Sequence, residues 1–281
     1  MTGYKPTSPV NPLLSNQAAL TLLRWQSEAG VDETIAEITP ETYTETPLET
    51  IIEKPLHAKI SPYKRQQEEQ PPSSLPSFAP LLANITTLEE LRHAMENVAD
   101  GGLRATASKL VFSDGNPKAR VMFIGEAPGR EEDRQGVPFV GRSGQLLDRM
   151  LAAIGLNRTQ VYITNVIPWR PPANRTPTRD EINPFRPFLN RHIMLINPDV
   201  LVLTGGVAAK TLLNTSKGIM TLRGKWTDCL ISDKGVDYYI PALPIFHPAF
   251  LLRQPGQKRL AWHDLLMLQE KLNTLGTSSS L

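Results

Sequence analysis

Residues 121–129 read VMFIGEAPG, and this stretch sets the interpretation of the whole chain. Its first four residues are apolar in a row, which is the length of a fully buried strand. Uninterrupted apolar strands are typical of parallel sheets that are covered by helices on both faces. The residues that follow, 125–129, contain two glycines and one carboxylate. In such sheets, ligands bind in loops at the carboxyl ends of the strands.

The same pattern recurs along the chain. Further apolar runs of strand length cover residues 161–164, 200–203 and 243–246. Helical patterns cover residues 144–154, 181–196, 207–213 and 258–275. Alternating strands and helices predict an α/β fold with a parallel sheet between helical layers. A hairpin is expected near residues 222–240, and Thr87 with Glu90 forms a capping-box signature before a helix.

Each predicted strand ends next to glycine or polar residues. They are Gly125 and Glu126, Asn165, Gly205 and Gly206, and His247. A carboxamide can read the edge of a base, a carboxylate can orient water or stabilise a cation, and an imidazole can stabilise an oxyanion. One such residue is commonly a turn device. Four such groups of residues, one after each predicted strand, would meet at the same edge of the sheet, and this favours a functional site.

Composition excludes several classes of protein. The 281 residues include 30 Lys and Arg, 28 Asp and Glu, and one cysteine, Cys229. One thiol excludes an intramolecular disulfide and any metal site that needs several cysteines. P-loop, dinucleotide, HExxH and GxSxG motifs are missing. With no apolar run near the ~20 residues of a membrane span and no signal-peptide pattern, we expect a cytoplasmic, nucleoid-associated protein without membrane contact.

Composition also divides the chain. Residues 1–32 contain an amphipathic helical pattern between Ser15 and Gly30, which either packs on the domain or binds a protein partner. Residues 33–80 are rich in Pro, Thr, Glu and Gln, which predicts a disordered linker. Residues 81–277 are predicted to form the folded domain. The first 80 residues carry six basic and ten acidic groups, whereas the rest carries 24 and 18, the sign suited to nucleic acid.

Basic residues accompany the strand-end motifs. We predict contacts with nucleic acid from Arg142, Arg175, Leu251, Leu252 and Arg253. The arginines would either contact phosphates or form a solvated basic face. The leucine pair would either wedge between base steps or form the first turn of a buried helix.

Four longer motifs follow one another along the chain. They are GEAPGREEDRQGVPFVGRSGQLLDRML (125–151), YITNVIPWRPPANRTPTRDE (162–181), RGKW (223–226) and FHPAFLLR (246–253). In this order they resemble the family-4 uracil-DNA glycosylases. The resemblance covers about residues 98–275. It implies a three-layer α/β/α sandwich around a four-stranded parallel sheet, and hydrolysis of the N-glycosidic bond of uracil in DNA to leave an abasic site, the first step of base excision repair. It also implies that uracil-containing DNA is the partner, and we expect a monomer.

The resemblance implies roles for individual residues. Glu126, Asn165 and His247 match the catalytic positions. Gly125, Glu132, Phe139 and Asn174 match positions that bind the substrate. Phe139 would stack on uracil and Asn165 would read its edge. His247 would stabilise the uracil O2, and Glu126 would stabilise the sugar cation or position water.

The chain departs from the family at its iron–sulfur site. The family holds a [4Fe–4S] cluster on four cysteines, and the matching positions are Val98, Gly101, Trp169 and Phe185 here. Without thiolates no such cluster is held. We therefore expect no cofactor and no metal, with Trp169 and Phe185 filling the vacated volume.

Two alternatives remain beside an active glycosylase. One is a catalytically weakened member that binds uracil or DNA without efficient excision. The other is an unrelated small-molecule hydrolase of α/β type, which the lack of a nucleophile elbow disfavours. The family's covalently trapping branch carries a basic loop insertion, and the short run at residues 169–174 lacks it.

Overall fold

Residues 78–98 and 102–277 are described by a computed structural model of the chain. The predicted N-terminal helix and the predicted linker up to residue 77 lie outside the described residues, and both stay predictions.

One sheet of six strands forms the centre of the described domain. The strands are β1 Asp114–Gly115, β2 Val121–Gly125, β3 Tyr162–Asn165, β4 Val200–Thr204, β5 Thr227–Asp233 and β6 Val236–Ile245. Their order is β1-β3-β2-β4-β6-β5. The four central strands are parallel, which confirms the predicted core of the sheet, and β1 and β5 add antiparallel edges.

The predicted hairpin and the fourth predicted strand are parts of one longer element. Seven of the ten residues of β6, 236–242, pair with β5 along the hairpin, and residues 242–245 at the end of the strand pair with β4. The hairpin residues Tyr238 and Tyr239 are exposed, whereas Leu243 and Ile245 are buried in the sheet. The predicted apolar run at residues 243–246 therefore marks only the end of β6 that enters the parallel part of the sheet.

Eleven α-helices lie in the described residues. They are α1 Ala79–Asn84, α2 Leu88–Glu96, α3 Leu103–Thr106, α4 Arg130–Gln135, α5 Arg142–Ala153, α6 Arg179–Ile182, α7 Arg186–Ile196, α8 Gly206–Leu212, α9 Ile219–Leu222, α10 Pro248–Arg253 and α11 Lys258–Thr277. The predicted helix over residues 181–196 is interrupted by a 3₁₀ turn at Asn183–Phe185, because Pro184 has no N–H to donate. Among the described residues no helix combines the length and apolarity needed to cross a membrane.

The sheet is covered on both faces. In β2, Met122 and Ile124 pack into one core with Phe188 of α7, while Phe123 packs into the other with Leu147 of α5. All five of these side chains are fully buried. A parallel sheet between two helical layers is thus confirmed. It aligns the carboxyl ends of β2, β3, β4 and β6 at one edge, where Gly125 lies opposite Asn165 and Thr204 opposite Ile245.

Candidate active site at the carboxyl ends of the strands

A cavity of about 420 Å³ opens at this edge of the sheet. Eight of the predicted site residues line it: Glu126, Glu132, Phe139, Asn165, Asn174, Arg175, His247 and Arg253. Gly125 lies directly behind the lining residues Asn165 and Phe139. Arg142, Leu251 and Leu252 do not line it. The cavity therefore brings together side chains that are up to 127 positions apart in sequence.

Asn165 presents an unused carboxamide to the cavity. It ends β3 and is 4% exposed, and its side chain forms no hydrogen bond with the described residues. Gly125 on the neighbouring strand makes room for it. A Cβ atom at position 125 would lie 2.4 Å from Asn165 Oδ1 and 2.6 Å from Phe139 Cζ. A carboxamide whose donor and acceptor are both unused at a cavity wall can bind the matching edge of a ligand.

The backbone of Phe139 adopts a conformation that is uncommon outside glycine, with φ of 55°. Two neighbours stabilise it. The Arg158 guanidinium donates hydrogen bonds to the carbonyls of Phe139 and Pro138. Gly144 allows close approach, since a Cβ atom there would lie 1.7 Å from the Phe139 carbonyl oxygen. The Phe139 ring is thereby positioned at the wall of the cavity.

Glu132 acts on the backbone. One carboxylate oxygen accepts from Gly129 N at 3.1 Å. The other accepts from Val140 N at 3.0 Å and Gly141 N at 2.9 Å. The side chain borders the cavity but is 7% exposed, with both oxygens engaged. The structure therefore makes Glu132 a positioning residue for the loop of Phe139, whereas the resemblance implies a contact with the substrate.

Glu126 follows β2 and is half-buried. Burial raises the pKa of its carboxyl, and a hydrogen bond from the side chain of Thr176 opposes that rise. Thr176 lies in the quoted motif at residues 162–181, but it follows no predicted strand, so no strand-end pattern points to it. A carboxylate in this position can stabilise a nearby cation or orient a water molecule.

The geometry around His247 selects its tautomer. Nδ1 accepts a hydrogen bond of 3.1 Å from Ala249 N, at the start of α10. The proton of the neutral ring is therefore on Nε2. Burial, together with the charge of Arg253, lowers the pKa of His247 to about 4. Near pH 7 the ring is thus a neutral hydrogen-bond donor through Nε2.

The loop over residues 170–176 closes one side of the cavity. Arg170 Nε donates to Asn174 Oδ1 at 2.6 Å, and Asn174 has φ of 55°. Arg175 forms a bidentate pair with Glu181 at 2.5 and 2.8 Å. This pair lowers the pKa of Glu181 to about 2. Arg175 is exposed, but its guanidinium already has a carboxylate partner.

The remaining predicted DNA contacts differ in exposure. Arg142, at the first position of α5, and Arg253, at the end of α10, are exposed. Leu252 is half-buried. Leu251 is fully buried against the core that includes Leu147. The expectation of a DNA contact is therefore wrong for Leu251, because apolar burial in α10 removes it from the surface.

Two further features of the described domain concern metal ligands and the thiol. In the part of the chain that the structure describes, no group of three or more His, Cys, Asp or Glu side chains is placed to share a metal ion. Cys229 lies buried in β5, and its Sγ donates to the Leu212 carbonyl at 3.5 Å. Burial raises the pKa of the thiol to about 12, so the reactive thiolate is disfavoured.

Comparison with known proteins identifies the family of the chain. The family model of the Uracil DNA glycosylase superfamily matches residues 112–266. A type-4 uracil-DNA glycosylase of Thermotoga maritima is 42% identical over 189 residues, which cover 64% of this chain and 93% of that protein. That of Sulfurisphaera tokodaii is 35% identical, over 66% of this chain and 85% of its own length. That of Archaeoglobus fulgidus is 40% identical, over 61% of this chain and 86% of its own length. The chain belongs to the uracil DNA glycosylase superfamily.

Proposed function

We propose that this protein is a uracil-DNA glycosylase, which hydrolyses the N-glycosidic bond of uracil in DNA and leaves an abasic site for base excision repair. One observation carries the proposal. Four groups suited to uracil line one cavity. They are the unused carboxamide of Asn165, the ring of Phe139, the neutral imidazole of His247 and the half-buried carboxylate of Glu126. The relatives named type-4 uracil-DNA glycosylase support the same function.

Recognition would begin when the nucleotide leaves the base stack, since its reacting carbon is inaccessible inside a duplex. Phe139 offers the base a stacking surface. The carboxamide of Asn165 would accept from uracil N3–H and donate to O4. Cytosine presents the reverse polarity at both atoms, so it would leave two buried polar contacts unmatched.

Bond cleavage would use opposite charges at the two ends of the bond. As the bond between C1′ and N1 breaks, its electron pair goes to the uracil and positive charge grows on the sugar. The Nε2–H of His247 would donate to the uracil O2 and stabilise the departing anion. Glu126 would stabilise the sugar cation and orient the water whose oxygen bonds to C1′. The Glu126 carboxylate would accept the proton that this water loses, and the uracil anion would take up a proton from solvent after release.

We further propose that the protein works without the [4Fe–4S] cluster that the family resemblance implies. The residues present do not fit that group. Val98, Trp169 and Phe185 are buried members of one apolar core, and none carries a thiolate. Gly101 lies outside the described residues and also lacks a ligand atom. Purified protein should contain no stoichiometric iron and show no cluster absorbance near ~400 nm; either signal would refute this proposal.

A direct assay tests the activity. Protein is incubated with uracil-containing single- and double-stranded oligonucleotides, and abasic sites are then cleaved with alkali. Cleavage is expected for the wild type and is expected to be lost in Glu126→Ala, Asn165→Ala and His247→Ala. Glu270→Ala, an exposed position on α11, is the matched control and should retain cleavage. Binding of uracil-DNA without cleavage would instead support the weakened binding member.

We also propose that the protein acts as a monomer on DNA of the bacterial nucleoid in the cytoplasm. The residues proposed for recognition and for bond cleavage line one cavity of the described domain. Sedimentation of the protein alone and with a short oligonucleotide tests this. A dimer that alone cleaves uracil-DNA would contradict it.

A further inference from the structure

A second cavity, of about 720 Å³, lies beside the candidate active site. We call it the Arg186 cavity. Its walls are formed by residues 176–186, the helix α8 and the loop after α8. Thr176 lines both cavities. The two spaces are therefore neighbours along the surface.

The Arg186 cavity has the chemistry of an anion site. Its charged lining residues are all cations, namely Arg179, Arg186 and Lys210, and no carboxylate lines it. Hydroxyl groups of Thr211, Thr215 and Ser216 add hydrogen-bond donors. A guanidinium flanked by hydroxyl groups matches the oxygen atoms of a phosphate group.

Arg186 lacks the partner that other shielded arginines have. Arg158, Arg191 and Arg223 each form an ion pair with an aspartate. The guanidinium of Arg186 donates to the Thr211 carbonyl, and it has no carboxylate partner in the described part of the chain. Burial lowers the pKa of Arg186. A partly desolvated cation without a counterion gains from an anionic ligand.

We propose that the Arg186 cavity binds a phosphate of the DNA strand, next to the nucleotide held in the candidate active site. This inference rests on the proposed function. The strand would leave the first cavity past Thr176, whose side chain also hydrogen-bonds to Glu126. Arg186 and Lys210 would then hold the phosphate, which would set the register of the strand.

The test uses oligonucleotides that carry one uracil and one neutral methylphosphonate linkage, moved stepwise along the strand. Binding is measured by fluorescence anisotropy and excision by alkaline cleavage. For the wild type, one linkage position on one side of the uracil should weaken binding by about tenfold, the effect of losing one charge-assisted contact. The Lys210→Gln variant should bind the unmodified strand more weakly than the wild type does. Its affinity should not fall further when the neutral linkage is at that position. Its plot of log affinity against log salt should lose about 0.7 in slope.

Arg186→Gln should behave in the same way. Arg186 is half-buried, so if its substitution impairs folding, the test depends on Lys210→Gln. Lys118→Gln is the matched control, because Lys118 is exposed in the turn before β2, at the opposite edge of the sheet. It should leave the linkage profile unchanged.

The outcomes separate this inference from the proposed function. Identical linkage profiles in the wild type and Lys210→Gln would overturn the phosphate contact, even where uracil is excised normally. If the linkage profile changes as expected but no uracil is excised, the proposed phosphate contact is supported and the proposed glycosylase activity is refuted. A third outcome is that inorganic phosphate protects the wild type, but not Lys210→Gln, against thermal unfolding, while the neutral linkage affects binding at no position. This outcome would assign the cavity to a free anion and overturn the strand contact.

Discussion

The ring of Phe139 lies against the imidazole of His247, with centroids 5.5 Å apart and planes inclined by 28°. This contact joins the loop between α4 and α5 to the start of α10, two segments that are separated by more than 100 residues. It also places the proposed stacking surface beside the proposed hydrogen-bond donor. The two halves of the mechanism therefore share one wall of the cavity.

Gly125→Ala is expected to abolish excision while the fold is retained. The added Cβ would meet Asn165 Oδ1 at 2.4 Å and the Phe139 ring at 2.6 Å, so both side chains would have to move. Alkaline cleavage of a uracil-containing oligonucleotide measures the loss, and circular dichroism checks the fold. Gly256→Ala is the control, since a Cβ there meets nothing within 4 Å. Normal excision by Gly125→Ala would contradict the proposed site.

Glu132→Gln is expected to lower the free energy of unfolding by about 1–3 kcal/mol, the cost of leaving buried N–H groups without an acceptor. Glutamine replaces one of the two carboxylate oxygens by an NH₂ group, which cannot accept a hydrogen bond. Either the bond from Gly129 N or the two bonds from Val140 N and Gly141 N would therefore be lost. Urea denaturation measures the change. Glu131→Gln, one position away on the exposed side of α4, should change stability by less than about 0.5 kcal/mol. Equal effects of the two substitutions would argue against the positioning role.

Stability should fall as the pH drops below about 6.5, in part because of His192. Burial lowers the pKa of this imidazole to about 3, and its Nε2 hydrogen-bonds to the Tyr162 hydroxyl at 2.8 Å. Between pH 6.5 and 3 the unfolded chain binds a proton at this position and the folded chain does not, so the free energy of unfolding falls with the pH.

Comparison of variants isolates that contribution. Urea denaturation of the wild type and of His192→Gln at pH 7 and pH 5 should show a decrease that is smaller in the variant by about 2 kcal/mol. His93→Gln, which removes an imidazole that is 82% exposed, should leave the decrease unchanged. A decrease that is the same in all three proteins would exclude His192 as its source.

Thr176→Val is expected to shift the pH dependence of excision. The side chain of Thr176 hydrogen-bonds to Glu126 and holds down a carboxyl pKa that burial raises. Removing the hydroxyl should raise that pKa, so the acidic limb of log kcat/KM should move to higher pH. Thr227→Val, on the exposed edge of β5, should leave the limb in place. A shift toward lower pH would disprove this assignment of Thr176.

Phe185→Ala should lower the free energy of unfolding by about 3–5 kcal/mol, as expected for a large cavity in a packed core. Phe185 is fully buried in the core that also holds Trp169 and Val98. Phe78→Ala is the comparison, since Phe78 is only half-buried in the same core, and its effect should be clearly smaller. A loss below about 1 kcal/mol for Phe185→Ala would show that this core does not depend on the aromatic side chain.

Short-range patterns in the sequence determined much of the fold. The apolar runs predicted β2, β3, β4 and the inner half of β6, because a strand buried on both faces leaves a signal within four or five residues. The capping box of Thr87 and Glu90 forms as expected. Helix α4 was missed, because its six residues, REEDRQ, contain no apolar periodicity.

The sequence also determined which groups meet at the carboxyl edge, since the order of strands and motifs brings Glu126, Asn165 and His247 together. Only the tertiary structure decided how neighbouring side chains are used. Glu132 binds backbone N–H groups, Leu251 faces the core, and Arg186 has no carboxylate partner in the described residues. Each of these depends on contacts across loops and layers. Such contacts are set by packing between distant segments, and local periodicity carries no record of them.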